Sequence, residues 1–366
     1  MNRPYHRLTH IAAAVLTVAA AGAHGQVTIS GAVDTSVEMV NTGDPNGKVT
    51  QLGTGTTTSG RIVFAGREKL DAGLDAFFRL DLGFRGDSGD MLPGANAFFG
   101  RTAIVGVEGR DWGQLALGRT GTPLTPMLNQ TDFGNIGYYG NNGSISQNLI
   151  GRTSNGVFYT SPNFSGLTAR AAYGFGEAVN APRDQGTFKA LGLYYAKGNL
   201  TLAGAFQTSR ERTATGANLT VANQTEQGFG GKYDFGVVAV NAGWYKIHQV
   251  TPVASRDRAI PSDNTTSYWL GAVVPVGAAG KLGLQVGQTK GDLKAAGLPE
   301  PKGTTMAAYY NYALSKRSSL YVNYARVDNN AGSKLSLIPA AYFARIRPTL
   351  NGSDPSVLAI GIVHLF

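Results

Sequence analysis

Cysteine is absent from the 366 residues, which removes disulfide frameworks, thiolate metal sites and thiol nucleophiles together. Histidine is nearly as scarce: His6, His10 and His24 lie at the start, and only His248 and His364 follow. Charged side chains make up 15% of the chain and form no clustered run, so the basic balance does not read as a nucleic-acid surface. Proline is ordinary at 15 residues and there is no Gly-x-y period, which excludes collagen and Pro-rich disorder. Beyond residue 25 no apolar run approaches the roughly 18 residues of a transmembrane helix, and helical spacing of apolar positions is hard to find. Helix-bundle membrane proteins are thereby excluded. In excess are glycine, 50 residues and about twice the usual share, and positive charge, a formal +9.

The N-terminus has the order of a secretory signal. Arg3 and Arg7 precede the run Ile11 to Ala21, and Ala23-His24-Gly25 follows with small residues at the two positions a signal peptidase reads. That run is too short to span a bilayer as a helix. The expectation is therefore a cleaved signal over 1–25 and a mature chain, 26–366, that forms a single barrel domain. Cleavage removes two arginines and no acid, lowering the formal charge by two. An exported chain without cysteine fits the bacterial envelope.

In the mature chain the recurring pattern has period two. Leu74, Ala76, Phe78, Leu80, Leu82 and Phe84 fall on one face, against Asp75, Phe77, Arg79, Asp81 and Gly83. The same split recurs in 305 to 314, 238 to 244 and 282 to 286. Such segments are strands with one apolar and one polar or small face. Strands are expected near 27–41, 58–70, 73–86, 98–109, 113–119, 152–161, 166–175, 187–197, 199–210, 225–234, 236–248, 265–276, 280–290, 303–315, 317–329 and 355–366. Their connections alternate between short turns and long segments rich in Gly, Asn, Thr and Pro. An even strand number with short turns at one end and long loops at the other predicts an all-β fold, a 16-stranded antiparallel transmembrane β-barrel, wide enough for an aqueous channel.

The alternative is a soluble two-sheet β-protein. Against it, tyrosine and tryptophan gather near expected strand ends (Tyr194, Tyr195, Trp244, Tyr268, Trp269, Tyr309, Tyr310, Tyr312, Tyr321, Tyr324), as in the girdles at membrane interfaces. The last strand also runs Leu358, Ile360, Ile362, His364 to a terminal Phe366.

The chain resembles the general porins of the Gram-negative outer membrane, of the β-proteobacterial type. The marks are Val27-Thr28-Ile29-Ser30-Gly31 with Asp34, Ser59-Gly60-Arg61, Gly66-Arg67-Glu68-Lys69-Leu70, Phe99-Gly100-Arg101, Leu117-Gly118-Arg119, Tyr159-Thr160-Ser161-Pro162-Asn163-Phe164, Leu314-Ser315-Lys316-Arg317 and Gly361 to Phe366. Each is weak alone, and their order and spacing make them specific. Arg67 and Lys69 depart from the pattern, standing where small or acidic residues are usual beside the Glu. The resemblance implies a homotrimer of 16-stranded barrels whose third long loop folds inward, set in outer-membrane lipid and lipopolysaccharide, passing small hydrophilic solutes and anions without a cofactor.

That third connection is 120–151, the longest, and its one charge is Asp132. Structureless loops of such length are usually functional, and its Gly, Asn and Ser suit an inserted constriction loop. Opposite it the resemblance implies a basic wall: Arg61, Arg101 and Arg152 first, with Arg79 and Arg119. Alternation supports two of these, since Arg61 opposes Ile62 and Phe64, and Arg79 opposes Phe78 and Leu80. An arginine facing lipid at mid-membrane costs about 2 to 4 kcal/mol, which drives mid-strand arginines inward. The competing reading pairs them with Asp34, Glu38 and Asp81 or with lipid phosphates at strand ends.

Other chemistry is poorly supported. Gly53-Thr54-Gly55 lacks the Gly-Lys-Ser/Thr and the strand-to-helix context of a phosphate loop. A barrel hydrolase would need a histidine site, for which only His248 is placed. No metal site, catalytic residue or nucleic-acid partner is expected. The closer alternative is a channel selective for phosphate or organic anions.

Overall fold

The computed structural model describes residues 27–92, 97–134, 137–146, 150–176, 186–215, 218–249, 264–292, 297–337 and 347–366. The expected signal segment 1–25 lies outside them. The strands are β1 (Thr28–Asn41), β2 (Lys48–Thr54), β3 (Arg61–Lys69), β4 (Leu74–Gly83), β5 (Thr102–Gly109), β6 (Gly113–Gly121), β7 (Arg152–Thr160), β8 (Leu167–Gly174), β9 (Phe188–Lys197), β10 (Leu200–Thr215), β11 (Asn218–Asp234), β12 (Ala239–Gln249), β13 (Asn264–Val276), β14 (Gly280–Gly291), β15 (Lys302–Ala313), β16 (Ser318–Asn329) and β17 (Ser356–Leu365). Consecutive strands pair antiparallel from β3 to β17. The sheet closes where β1 pairs with β17, from Ala32↔Leu365 to Asn41↔Ser356. On its other edge β1 pairs with β2 along Thr35 to Asn41 and with β3 along Thr28 to Ala32. These two strands are halves of one stave, so the barrel has sixteen, as the alternation predicts.

Register divides the side chains cleanly. On β1, Val33, Val37 and Met39 are exposed, while Asp34, Ser36 and Glu38 are buried. Cross-strand pairing carries this parity around the wall to Leu270, Leu284, Val286, Met306, Ile360 and Ile362, all exposed. A soluble sandwich would bury these side chains. Among the described residues the exposed face is the apolar one, the arrangement lipid stabilises.

Three expectations are corrected. The 42–57 stretch is not a plain loop, because Lys48–Thr54 forms β2. The connection expected at 211–224 is strand, with β10 and β11 paired out to Thr215↔Asn218. Polar residues on both parities there hide the strand from an apolar/polar pattern. The aromatic set does not lie wholly in membrane-interface girdles either: Tyr268, Tyr310, Tyr312 and Tyr324 are exposed on the apolar face, but Tyr194, Trp269, Tyr309 and Tyr321 are buried on the polar face. One step of register separates the two groups.

The long connections are tied to one another. Asp44, between β1 and β2, accepts hydrogen bonds from Thr349 N (2.7 Å), Thr349 Oγ1 (2.8 Å) and Ser353 Oγ (2.6 Å) in the segment before β17. Arg326 bridges Asp328 at 2.5 Å and Asp354 at 3.1 Å beside it.

Candidate functional site

Residues 122–146 contain two helices, α1 (Leu124–Gln130) and α2 (Asn142–Ile145), so the connection expected as structureless is partly helical. Leu124, Met127 and Leu128 of α1 pack with Ala203, Ala205, Tyr245, Ile247 and Trp269. All five belong to the polar-face parity of β10, β12 and β13. This apolar patch on an otherwise polar surface is where the helix sits.

Hydrogen bonds extend the contact. Trp269 Nε1 (3.0 Å) and Asn241 Nδ2 (2.9 Å) both donate to Thr131 O. Tyr309 OH donates to Phe133 O at 3.0 Å. Ser267 Oγ (3.1 Å) and Thr289 Oγ1 (2.6 Å) donate to Ile145 O. Tyr139 N donates to Asn323 Oδ1 at 2.7 Å, and Tyr139 OH to Glu38 Oε1 at 2.7 Å. Ile150 N lies 3.2 Å from both oxygens of Glu226, which also accepts from Tyr245 OH at 2.6 Å. The tyrosine rings reinforce the bonds, with Tyr138 stacked on Tyr309 at 4.0 Å between centroids. At Gly140, φ +80°, a Cβ would meet Ala307 Cβ at 2.5 Å. Only glycine allows the segment to lie this close to β15.

Asp132 is 1% exposed. Its carboxylate accepts from Asn142 N (2.8 Å), Gly134 N (3.0 Å) and Gln285 Nε2 (3.1 Å). The one charge of the segment is thus turned into the loop and against β14. Asp34 and Glu38 do not pair with arginine. Asp34 accepts from Thr57 N, Thr58 N and Tyr321 OH, and Glu38 from Tyr139, Thr56 and Gln51. These wall carboxylates are engaged in holding 56–58 and Tyr139 in place.

The bonds of 122–146 and of Ile150 fall on β1 and on β9 to β16, with Tyr194 OH of β9 donating to Pro123 O. The arginines stand on the remaining arc. Arg61 lies opposite Ala32 and Gly83, and Arg79 opposite Ala65 and Ile104, so both share the polar-face parity. Arg61 Nη1 donates to Thr58 Oγ1 at 2.5 Å. Asp81 sits between two of the set, 3.1 Å from Arg101 Nε and 3.6 Å from Arg79 Nη2. Arg152 Nε donates to Arg101 O at 3.1 Å, and Arg119 to Gly100 O and Ser154 Oγ, both at 2.8 Å. Arg101, Arg119 and Arg152 therefore adjoin one another at one end of β5 to β7. Their facing could not be read by alternation because β6 and β7 shift register between Gly118 and Thr120, with Asn155 at φ +52°. Arg170 was missed by sequence reasoning; it lies over the Tyr194 ring at 5.3 Å on the same face.

The two histidines are apart from this region. His248 contacts Asn264 Oδ1 at the long-connection end. His364 Nδ1 is 2.8 Å from Ser318 Oγ at the other.

A family model described as Gram-negative porin matches residues 12–332. The chain is 30% identical to outer membrane porin protein 32 of Delftia acidovorans, an alignment covering 97% of this chain and 99% of that one. It is 28% identical to an outer membrane porin protein of Bordetella pertussis, over 86% and 92% of the two chains. Among solved structures, an anion-selective porin from Comamonas acidovorans matches with a TM-score of 0.76 and 27% identity, covering 94% of this chain and 100% of that one. With sixteen staves, an apolar exposed belt and these relatives along nearly its whole length, the chain belongs to the Gram-negative porin family of the outer membrane.

Proposed function

We propose that this porin is an anion-preferring diffusion channel whose constriction lies between residues 120–151 and the arginine arc. The observation that carries the reading is the division of the wall: the segment bonds to β1 and β9 to β16, while Arg61, Arg79, Arg101, Arg119 and Arg152 lie along β3 to β7. Bonds to so many staves at once are reachable only from the concave side, which supports an inward-folded loop. A passage then remains beside the five arginines, of which Arg79 and Arg101 are paired with Asp81, while on the same wall Arg67 engages the carboxylates Asp75 and Glu108. Low-dielectric walls focus that field on the water between them. Arginine keeps its charge at any working pH. The name of the Comamonas relative as anion-selective supports the same sign.

The rest of the reading follows the family. Residues 1–25 are a cleaved signal, 26–366 form the barrel, and the even strand number returns both mature ends to the periplasm. The exposed residues Val33, Val37, Ile360 and Ile362 on β1 and β17 are suited to packing between subunits of a homotrimer. Outer-membrane lipid and lipopolysaccharide cover the remainder. The channel works by passive diffusion, with no catalytic step. Neutralising Arg61, Arg101 and Arg152 together tests the assignment: anion preference in a planar bilayer should fall, and an unchanged preference would move the selectivity elsewhere.

A further inference from the structure

The stave made of β2 and β3 holds more chain than its place in the wall can take up. Thr54 and Arg61 are seven residues apart in sequence, but their partners on β1, Thr35 and Ala32, are only three apart. Four residues are therefore surplus to the ladder, and the chain between the two strands leaves the sheet. It departs at Gly55, whose φ of +79° suits a turn.

Hydrogen bonds fix the direction of departure, because the side chains that receive the excursion stand on the polar face of β1. Thr57 N and Thr57 Oγ1 donate to Asp34 Oδ2 at 2.6 and 2.7 Å, and Thr58 N donates to the same oxygen at 2.9 Å. Thr56 Oγ1 donates to Glu38 Oε1 at 3.1 Å and lies 3.0 Å from Ser36 Oγ. On its other side the excursion meets the segment between α1 and α2. Tyr138 N donates to Thr56 O, and a Cβ at Gly137 would clash with Thr57 O. Residues 55–60 thus lie between the wall and the connection 120–151, on the face that the channel reading gives to water.

Arg61 is the first residue back in the ladder, and the excursion holds its guanidinium. Nη1 donates to Thr58 Oγ1 at 2.5 Å and to Ser59 O at 3.3 Å. Arg79 and Arg101 share Asp81, whereas Arg61 has no carboxylate partner among the described residues. Its charge is uncompensated. Having accepted from Arg61, the Thr58 hydroxyl keeps its own proton, for which the described residues supply no acceptor. The adjacent cation polarises that O–H, so the pair presents two strengthened donors side by side. This is the chemistry that replaces water around a partly dehydrated anion.

We propose that residues 55–60 form a second constriction element and that Thr58 is a specificity-determining residue, its hydroxyl fixing Arg61 beside the ion path and donating its proton to the passing anion. The inference rests on the anion-channel reading and adds to it a piece of the wall that the long connection does not supply.

The test uses the full mature protein in planar bilayers, with a dilute potassium chloride gradient as the probe. Arg61→Gln removes one charge and should lower the anion-to-cation permeability ratio about twofold. Thr58→Val keeps the side-chain shape and alters no charge, yet the ratio should fall by about 1.5- to 2-fold through the lost hydroxyl. Thr58→Ser keeps the hydroxyl and should retain the unaltered ratio. In the Arg61→Gln background Thr58→Val should cost less than it does alone, because the two groups act as one unit. A purely structural Thr58 would change unfolding in denaturant and leave the ratio where it was. Because the chain has no cysteine, Thr58→Cys supplies a single thiol, a second arm that stands even if the valine variant does not fold. A negatively charged methanethiosulfonate reagent should react there and lower the anion preference. Equal ratios for Thr58→Val and the unaltered chain would overturn the proposal, as would a conducting Thr58→Cys channel that the reagent leaves unmodified. An anion-preferring channel indifferent to Thr58→Val refutes only this inference, whereas a cation-preferring unaltered chain refutes the anion-channel reading beneath it.

Discussion

Removing Asp81 should make the channel more anion-preferring, an effect opposite in sign to that of any arginine neutralisation. Its carboxylate lies 3.1 Å from Arg101 Nε and 3.6 Å from Arg79 Nη2, so it pairs with two arginines of the arc at once. Asn in its place keeps an acceptor for Arg101 and deletes only the charge. For an ion passing about 8 Å away in water-like dielectric, one unit charge contributes about 0.5 kcal/mol before screening. A Debye length of about 8 to 10 Å near physiological salt reduces this to about 0.2 kcal/mol. The contribution has opposite signs for anion and cation, so Asp81→Asn shifts their difference by about 0.4 kcal/mol, roughly a doubling of the anion-to-cation permeability ratio. In 1 M salt, with a Debye length of about 3 Å, the change should nearly vanish. Zero-current potentials across a bilayer, at fixed salt ratio and at both absolute concentrations, read the effect directly. An unchanged or lower ratio at low salt, or an increase as large in 1 M salt, would refute the placement of Asp81 beside the ion path.

Three further outcomes are expected. Glu226→Ala removes the acceptor of Ile150 N, Tyr245 OH and Gln224 Nε2; with about 1.5 to 3 kcal/mol for a hydrogen bond to a charged group, it should destabilise the barrel by several kcal/mol in denaturant unfolding and increase open-channel current noise. For Asp44, partial burial raises the carboxyl while bonds from Ser353, Thr349 and Leu350 prevail and lower it from 3.8 to about 2. Its contribution is therefore complete above pH 4 and lost as pH falls toward 2, so amide exchange at Thr349 and Leu350 should accelerate over that range, and Asp44→Asn should show the fast exchange at neutral pH. A cysteine replacing Asn46, between β1 and β2, should react with an impermeant reagent on intact cells, whereas one replacing Phe235, between β11 and β12, should not; the reverse pattern would invert the barrel in the membrane.

Much of the barrel is legible because its physics is local. Lipid on one side and water on the other impose the alternation seen in Leu74 to Phe84, and each short turn interrupts it. Features set by long-range pairing are not legible in this way. Lys48–Thr54 reads as loop because its strand character depends on β1. Trp269 and Tyr268 are neighbours of the same girdle type, and only register sends one to Thr131 and the other to the lipid face. Of the candidate site, Arg61 and Arg79 follow from alternation. Arg119 and Arg152 do not, because the β6–β7 register shift breaks the parity that would have to be counted. The roles of Glu38, Glu226 and Asp132 as internal ties are likewise invisible, since each has a partner far along the chain, 101, 76 and 153 residues away.

The central claim is that the arginines of β3 to β7 face the ion path and set its sign. The zero-current potential of the purified mature protein in a dilute potassium chloride gradient addresses it most directly. The arrangement of Arg61, Arg79, Arg101, Arg119 and Arg152 predicts the polarity of chloride preference, weakening as salt is raised on both sides. A potential of the polarity for potassium preference would contradict it.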